Sequence, residues 1–401
     1  MYDYTYLIVG GGMTANAAVK GIREIDPLGS IGLIGAEHDP PYKRPPLSKG
    51  LWKGEPQEEI WLNTFSRGVE MHLGRTVHAV DLDKKQVADD NGTIYGFDKL
   101  LLATGGTSRR LPFGGDDVIY FRTVADYWRL RDLADRGQSF AVIGGGFIGS
   151  EIAAALTMSG KQVAMIFPEE TIGARVYPRE LASFLNGYYR ERGAELLTGE
   201  TVSGLERRGA KLAVRTSGGT ELFVDGVVAG LGIVPNVDLA RQAGLHVETG
   251  IVVDEMLMTS HSDVYAAGDV AEFYNPALDQ RMRVEHEDNA NTMGRRVGRI
   301  MAGRSERYTY LPFFYSDLFD LGYEAVGLLD SRLETVEDWK DPNREGVVYY
   351  LRDGRVRGVL LWNVWEQVGA ARRLIAEPGP FRAEDLKGRL PEAKKPQDAA
   401  A

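Results

Sequence analysis

Two stretches constrain this chain more than any others: "LIVGGGMTAN" at residues 7–16 and "AVIGGGFIGSE" at residues 141–151. Each runs from an apolar strand-like segment through a glycine cluster into a helical pattern. The spacing is Gly10-x-Gly12-x-x-Ala15 in the first and Gly144-x-Gly146-x-x-Gly149 in the second. Glycines permit the tight turn and let a backbone approach a pyrophosphate. The helix that follows offers unpaired N–H groups and the positive end of its dipole. Either loop alone could be a tight strand-to-helix turn that binds nothing. Two of them in the same context favour two dinucleotides.

The surrounding pattern agrees. Tyr6 to Val9 reads as a buried strand, Ala15 to Ile25 as a helix, and Ser30 to Ile34 as the next strand. A proline-rich stretch, "DPPYKRPPLSKGLW", follows, and Leu100 to Ala103 forms a further strand closed by "TGG". Phe140 to Phe167 repeats the first unit. An amphipathic helix is expected at about Arg179 to Arg192, and "VVAGLGIVPN" breaks at Gly232 and Pro235. After about residue 307 the texture changes. Tyr323 to Leu329 reads as a strand, and two apolar runs flank Asp353-Gly354, a strong hairpin signal. Glu366 to Glu377 reads as a helix. A chain of 401 residues is too long for one core, so two or three domains are expected.

Composition narrows the chemistry. The net charge of −10 argues against a general nucleic-acid binder. There is no cysteine, which closes off disulfides, thiolate-held clusters and cysteine nucleophiles. This fits a reducing compartment, and a cytoplasmic location is expected. The N-terminus shows no secretory pattern, and no apolar run is long enough to span a bilayer. No metal site is expected. Glu37 lies just past the second strand of the first unit, where a carboxylate can hold ribose hydroxyls. Glu169 lies two residues past the corresponding strand end, with Arg175 the nearby base. That acid favours a ribose 2′-hydroxyl over a 2′-phosphate, so NADH is expected over NADPH. Two dinucleotides suggest a relay, one cofactor bound and the other a soluble hydride donor.

At these residues the sequence resembles the FAD-dependent pyridine-nucleotide oxidoreductases of the glutathione-reductase fold. The branch is the one without a redox disulfide, which includes NADH–ferredoxin reductases and apoptosis-inducing factor. The resemblance runs in order over about residues 4 to 376, through both loops, "PPYKRPPLSKGLW", "LLATGG", "GLGIVPN" and "VYAAGD". The stretches "IFPEE", "RVEHEDNA", "SDLFDLGYEAVGLLDS" and "VLLWNVWEQVGAARRLI" lean toward apoptosis-inducing factor. The implied fold is α/β: two Rossmann-like dinucleotide-binding domains plus a C-terminal α+β domain. The expected boundaries are 1–112 with 243–306 for FAD, 113–242 for NAD(H), 307–387 for the C-terminal domain and 388–401 for a disordered tail.

The resemblance also implies roles. For FAD these fall on Gly10, Gly11, Gly12, Met13, Thr14 and Ala15 at the pyrophosphate, on Glu37 at the adenosine ribose, and on His38. Arg44, Lys49, Val77, Ala103, Thr104, Gly105, Arg109, Asp269, His286, Glu287 and Tyr315 complete that set. Asp269 would meet the ribityl chain, although an Asp opening a helix is also a routine cap. For NADH the matching positions are Gly144, Gly145, Gly146, Phe147, Ile148, Gly149, Glu169, Arg175, Gly232, Glu285, Glu324 and Asn363. Lys49 and Glu151 would form an ion pair beside the flavin ring; the plainer alternative is a surface lysine and a glutamate on the helix dipole. Phe147 would gate the nicotinamide or simply fill core. His286, ahead of a helix from about Asp288 to Met301, is expected to position rather than to move protons. Tyr315 is a departure, since the branch has Trp in "FWSD" where this chain reads "FYSD".

The implied activity is NADH-dependent reduction of FAD, with electrons passed to an external acceptor such as a ferredoxin. Two alternatives stand beside it. One is an NADH oxidase or quinone reductase. The other is a redox-sensing protein like apoptosis-inducing factor, with a stable reduced flavin–NAD charge-transfer complex. A monomer or homodimer is expected. The basic clusters Arg295 to Arg299 and Arg372-Arg373 could steer an acidic ferredoxin, but read more plainly as solvated helix faces. Only about a dozen residues join Leu333 to Val347, where apoptosis-inducing factor carries a long insertion, so its regulatory behaviour is not implied.

Overall fold

A computed structural model describes residues 2–390. The expected disordered tail lies outside the described residues from 391 onward. Within its first residues, the Gly388 N–H donates to Asp338 and Leu390 is buried. The chain divides into two compact units, one of residues 1–44, 56–107 and 234–312, the other of residues 45–55, 108–233 and 313–401.

The first unit is built on a mostly parallel sheet. Its strand order is Val69–Leu73, Ile31–Gly35, Tyr2–Val9, Ile94–Leu102, Gln86–Asp89 and Val77–Asp81, and Val264–Ala266 also pairs with Ile94–Leu102. The first-loop helix, Met13–Arg23, packs on it with almost its whole length buried. That is why its sequence is alanine-rich rather than a narrow amphipathic stripe. A second helix, Glu287–Met301, lies against it at near-backbone distance. A Cβ on Gly298 would stand 2.0 Å from the Ala18 carbonyl oxygen, so only glycine permits this approach. Beside this contact Arg295 and Arg299 both donate to Glu24, and Arg296 pairs with Glu306 at 3.2 Å. The basic cluster from 295 to 299 is therefore answered within the unit, which favours the plainer of its two readings.

The second unit repeats the logic. Five parallel strands run in the order Ala194–Thr198, Gln162–Phe167, Ser139–Ile143, Gly226–Ala229 and Val118–Tyr120. The second-loop helix, Phe147–Met158, connects the central strand Ser139–Ile143 to its parallel neighbour Gln162–Phe167. A three-stranded antiparallel sheet is appended, and residues 313–362 form a five-stranded antiparallel sheet. The Asp353-Gly354 turn has both residues at positive φ, 53° and 70°, and closes the hairpin between Glu345–Arg352 and Arg355–Trp362. A strand at Leu321–Gly327 and a helix at Val368–Ala376 begin two residues away from the expected starts.

Candidate functional site

The first loop has the form a pyrophosphate requires. Gly10 takes φ 128°, and a Cβ there would stand 2.1 Å from the Ala103 carbonyl oxygen. Gly12 caps the helix without any side-chain hydrogen bond, so the N–H groups of the first turn are offered outward. Met13 opens the helix, and Thr14 and Ala15 are buried in it. Past the next strand, the Glu37 carboxylate accepts from Arg44 at 2.5 Å and from the Tyr42 hydroxyl at 2.5 Å. His38 lies against Gly74, whose Cβ would meet its ring at 2.5 Å. Val77 opens a strand, paired with Asp89.

The "ATGG" turn is tied in place by Asn236. Its amide donates to the Thr104 carbonyl at 2.9 Å, and the Thr104 hydroxyl donates to the Asn236 carbonyl at 2.8 Å. The Asn236 N–H donates to Gly105 at 2.9 Å. Asp269 lies in a single 3₁₀ turn, its carbonyl held by Arg283 at 3.0 Å. His286 is the N-cap of Glu287–Met301 without a side-chain capping bond, Glu287 opens that helix, and Glu285 pairs with Arg283. Glu285 thus belongs to the first unit, and Arg109 to the second, where its N–H donates to Gly232 at 2.9 Å.

The second loop has the same form. Gly144 takes φ 112°, Gly146 caps its helix without a side chain, and a Cβ on Gly149 would stand 2.0 Å from the Gly144 carbonyl oxygen. Gly145 accepts from the Gly173 N–H at 2.9 Å. Phe147 meets the Phe314 ring edge-on at 5.4 Å, and Ile148 beside it is exposed. Glu169 pairs with Arg175 at 2.9 Å, and Arg175 is 86% exposed. Both loops, with their uncapped helix starts and carboxylates, fit a dinucleotide.

A buried polar cluster surrounds Glu151. Its side chain is 3% exposed and that of Lys49 11%, with the ammonium 2.8 Å from the carboxylate. Ser48 donates to Oε2 at 2.5 Å and Ser316 to Oε1 at 2.6 Å. The surface-lysine alternative is thereby excluded. The Lys49 ammonium also sits over the Tyr315 ring, 5.5 Å from its centre. The Trp-to-Tyr departure therefore keeps an aromatic face beside the lysine.

Of two further expected NADH positions, Glu324 lies in the C-terminal sheet and Asn363 in the turn just after its strand Arg355–Trp362. Burial pushes the Glu324 carboxyl up from its ordinary value. Asn363 spends its amide on the backbone, accepting from Gly322 at 2.8 Å and donating to Arg344 at 2.8 Å. Sequence reasoning missed Ser48, Ser316, Asn236 and Tyr42. The two serines stand in quoted motifs, "PPLSK" and "FYSD", but a serine carries no charge or period to mark it. Among the described residues no group of three or more His, Asp or Glu is arranged to hold a metal ion. None of the described helices is long and apolar enough to cross a membrane.

Comparison with known proteins agrees with this geometry. The profile of the pyridine nucleotide-disulphide oxidoreductases matches residues 4–294. That of the C-terminal part of mitochondrion-associated apoptosis-inducing factor matches 297–345 and 337–377. The ferredoxin–NAD(+) reductase component of the anthranilate 1,2-dioxygenase system of Burkholderia cepacia is 33% identical, over 95% of this chain and 97% of that protein. Mitochondrial apoptosis-inducing factor 1 of Dictyostelium discoideum is 33% identical, over 93% and 78%. The solved covalent putidaredoxin reductase–putidaredoxin complex superposes with a TM-score of 0.88 at 31% identity, covering 95% of this chain and 94% of that one. The chain belongs to the pyridine nucleotide-disulphide oxidoreductases, FAD-binding and NAD(P)H-using enzymes, and pairs their two-loop fold with the C-terminal domain of apoptosis-inducing factor.

Proposed function

We propose that this oxidoreductase takes electrons from NADH through FAD to a ferredoxin-type protein. FAD, when bound, accepts a hydride from NADH and releases electrons singly. The observation that carries the reading is the buried Lys49–Glu151 pair in a chain that has two dinucleotide loops and no cysteine. Without a thiol pair, electrons have to leave the flavin for an external acceptor. The reductases named above, one of them joined to putidaredoxin, support a protein acceptor.

Each residue set then has a task. The first loop and Glu37, braced by Arg44 and Tyr42, hold the FAD pyrophosphate and ribose. The second loop and Glu169 hold NADH, with Phe147 at the nicotinamide. Glu169 selects the ribose 2′-hydroxyl by accepting from it and repels a 2′-phosphate. Lys49, paired with Glu151 in a nearly dry site, supplies the fixed positive charge that favours added electron density on the flavin. His286 and Glu287 stand at a helix start whose dipole works in the same direction. The likeness to apoptosis-inducing factor over 297–377 favours one second reading, a slow sensor whose reduced state persists in air.

The purified protein is reduced anaerobically with NADH, then mixed with ferredoxins, quinone or air. Reoxidation fastest with a ferredoxin supports the proposal. Fast reoxidation by quinone or oxygen overturns it in favour of an oxidase, and absorbance that persists in air favours the sensor. Protein purified without flavin overturns both readings.

A further inference from the structure

The carboxylate of Glu151 is held from three separate segments. The second-loop helix supplies Glu151 itself, the "PPLSK" stretch supplies Ser48 and Lys49, and the strand Phe313–Leu318 supplies Ser316. The strand and the helix meet in matching periods. Phe147 and Glu151 are four apart and share a helix face, while Phe314 and Ser316 are two apart and share a strand face. Phe314 lies on Phe147 and Ser316 on Glu151. The N-terminal part of the helix is thus fixed at two points one turn apart, one apolar and one polar.

The hydrogen-bond geometry is unbalanced in one direction. Each serine hydroxyl has one proton to give, and both are within 2.6 Å of Glu151. The other acceptor near Ser48, the Pro45 carbonyl, is 3.5 Å away. Ser316 is 1% exposed and Ser48 4%, so both hydroxyls are shielded from bulk solvent. A buried carboxylate facing a single ammonium recovers its lost hydration poorly. Extra donors on its free lone pairs change that, because hydrogen bonds to a charged acceptor are the strong ones. Two donors divided between the two oxygens also fix the plane of the carboxylate, and hence where Lys49 must sit to meet it.

We propose that Ser48 and Ser316 are positioning residues, which fix the orientation of the Glu151 side chain and so hold Lys49 in one place. The C-terminal sheet thereby reaches the Lys49–Glu151 pair through a neutral hydroxyl. The inference rests on the NADH–flavin reading given above.

A double-mutant cycle tests it in the intact flavoprotein. Ser316→Ala, Lys49→Ala and the double variant are compared by stopped-flow reduction with NADH and by the flavin midpoint potential. Ser316→Ala is expected to slow reduction about tenfold with KM for NADH changed less than about twofold, and to add less than about twofold in the Lys49→Ala background. The midpoint potential should shift in the same direction as in Lys49→Ala and show the same lack of additivity. Ser316→Thr, which keeps the hydroxyl, should restore both quantities. Ser48→Ala provides the same cycle if Ser316→Ala does not fold. Losses that multiply, or a Ser316→Thr no better than Ser316→Ala, overturn the inference while leaving the NADH–flavin reading standing. A Lys49→Ala protein reduced at the wild-type rate overturns the reading beneath it as well.

Discussion

The two glycine loops differ where their sequences differ least. The third position of the motif is Ala15 in the first and Gly149 in the second. In the second loop a methyl group would strike the Gly144 carbonyl at 2.0 Å, so helix and loop touch backbone to backbone. In the first loop the methyl of Ala15 is accommodated and fully buried. The close approach there has moved to a second helix, where Gly298 meets Ala18. The carboxylates differ in the same sense. Glu37 is gripped by Arg44 and Tyr42, whereas Glu169 has a partner that is 86% exposed. We propose that the difference separates a site built to keep its ligand from one built to exchange it. A ligand held by braced groups pays its ordering cost once, while a solvent-exposed arginine can be displaced at each turnover.

Exchanging the third residues gives the largest expected effect. Gly149→Ala should lower NADH-driven flavin reduction about 100-fold or more while FAD stays bound, because the clash is with backbone and cannot be relieved by a rotamer. Ala15→Gly should cost only about 1 kcal/mol in thermal stability and leave the reduction rate nearly intact. Stopped-flow absorbance and a melting curve read both. Loss of FAD from Gly149→Ala, with NADH binding preserved, would reverse the assignment of the two loops.

Lys49→Ala comes next. Removing the ammonium leaves the Glu151 carboxylate buried with only its serines, and flavin reduction should slow about tenfold or more. An unchanged stopped-flow rate would show that the pair is structural. A smaller effect is expected at Glu169. Glu169→Ala should raise KM for NADH about tenfold and narrow the preference over NADPH, since one ribose contact is lost and one repulsion removed. Glu37→Ala should leave KM unchanged and instead release FAD on dilution, read by flavin fluorescence. If the two acids exchange these phenotypes, the contrast between a kept and an exchanged ligand is wrong.

Much of this was legible in the sequence because it depends on local periodicity. Both loops, their strands and their helices follow from glycine spacing and apolar runs, and Asp353-Gly354 marks its hairpin for the same reason. Boundaries drifted by about two residues. The first-loop helix starts at Met13 where Ala15 was expected, because a helix begins where the glycine turn frees its N–H groups rather than where its apolar pattern begins. Long-range polar partners were not legible. Nothing local tells Ser316 that a carboxylate 165 positions earlier will meet it. Lys49 and Glu151 could be paired only through resemblance.

The smallest expected effect comes from acid, and it compares the two units through one carboxylate each. In the first unit, Lys85 and Lys99 hold the Asp263 carboxyl down to about 2. In the second, Asp225 also lies well below its ordinary value; burial opposes this, but Lys211 and the N–H groups of Gln138 and Ser139 outweigh it. A depressed carboxyl stabilises the fold above its unfolded value, near 3.8, and loses that contribution as pH falls through the folded value. For Asp263 the loss falls between about pH 4 and about pH 2. Asp225 should carry its unit somewhat lower in pH, since backbone donors remain when salt screens the lysine. Asp263→Asn should therefore cost about 1 kcal/mol near neutral pH, after allowing for solvent screening, and nothing further at the acid end. Acid titrations followed by near-ultraviolet circular dichroism, at low and high salt, check the sign. Salt should erode the Asp263 contribution more than that of Asp225. Equal erosion would mean that both units depend on ion pairs alone and that the backbone donors around Asp225 contribute little.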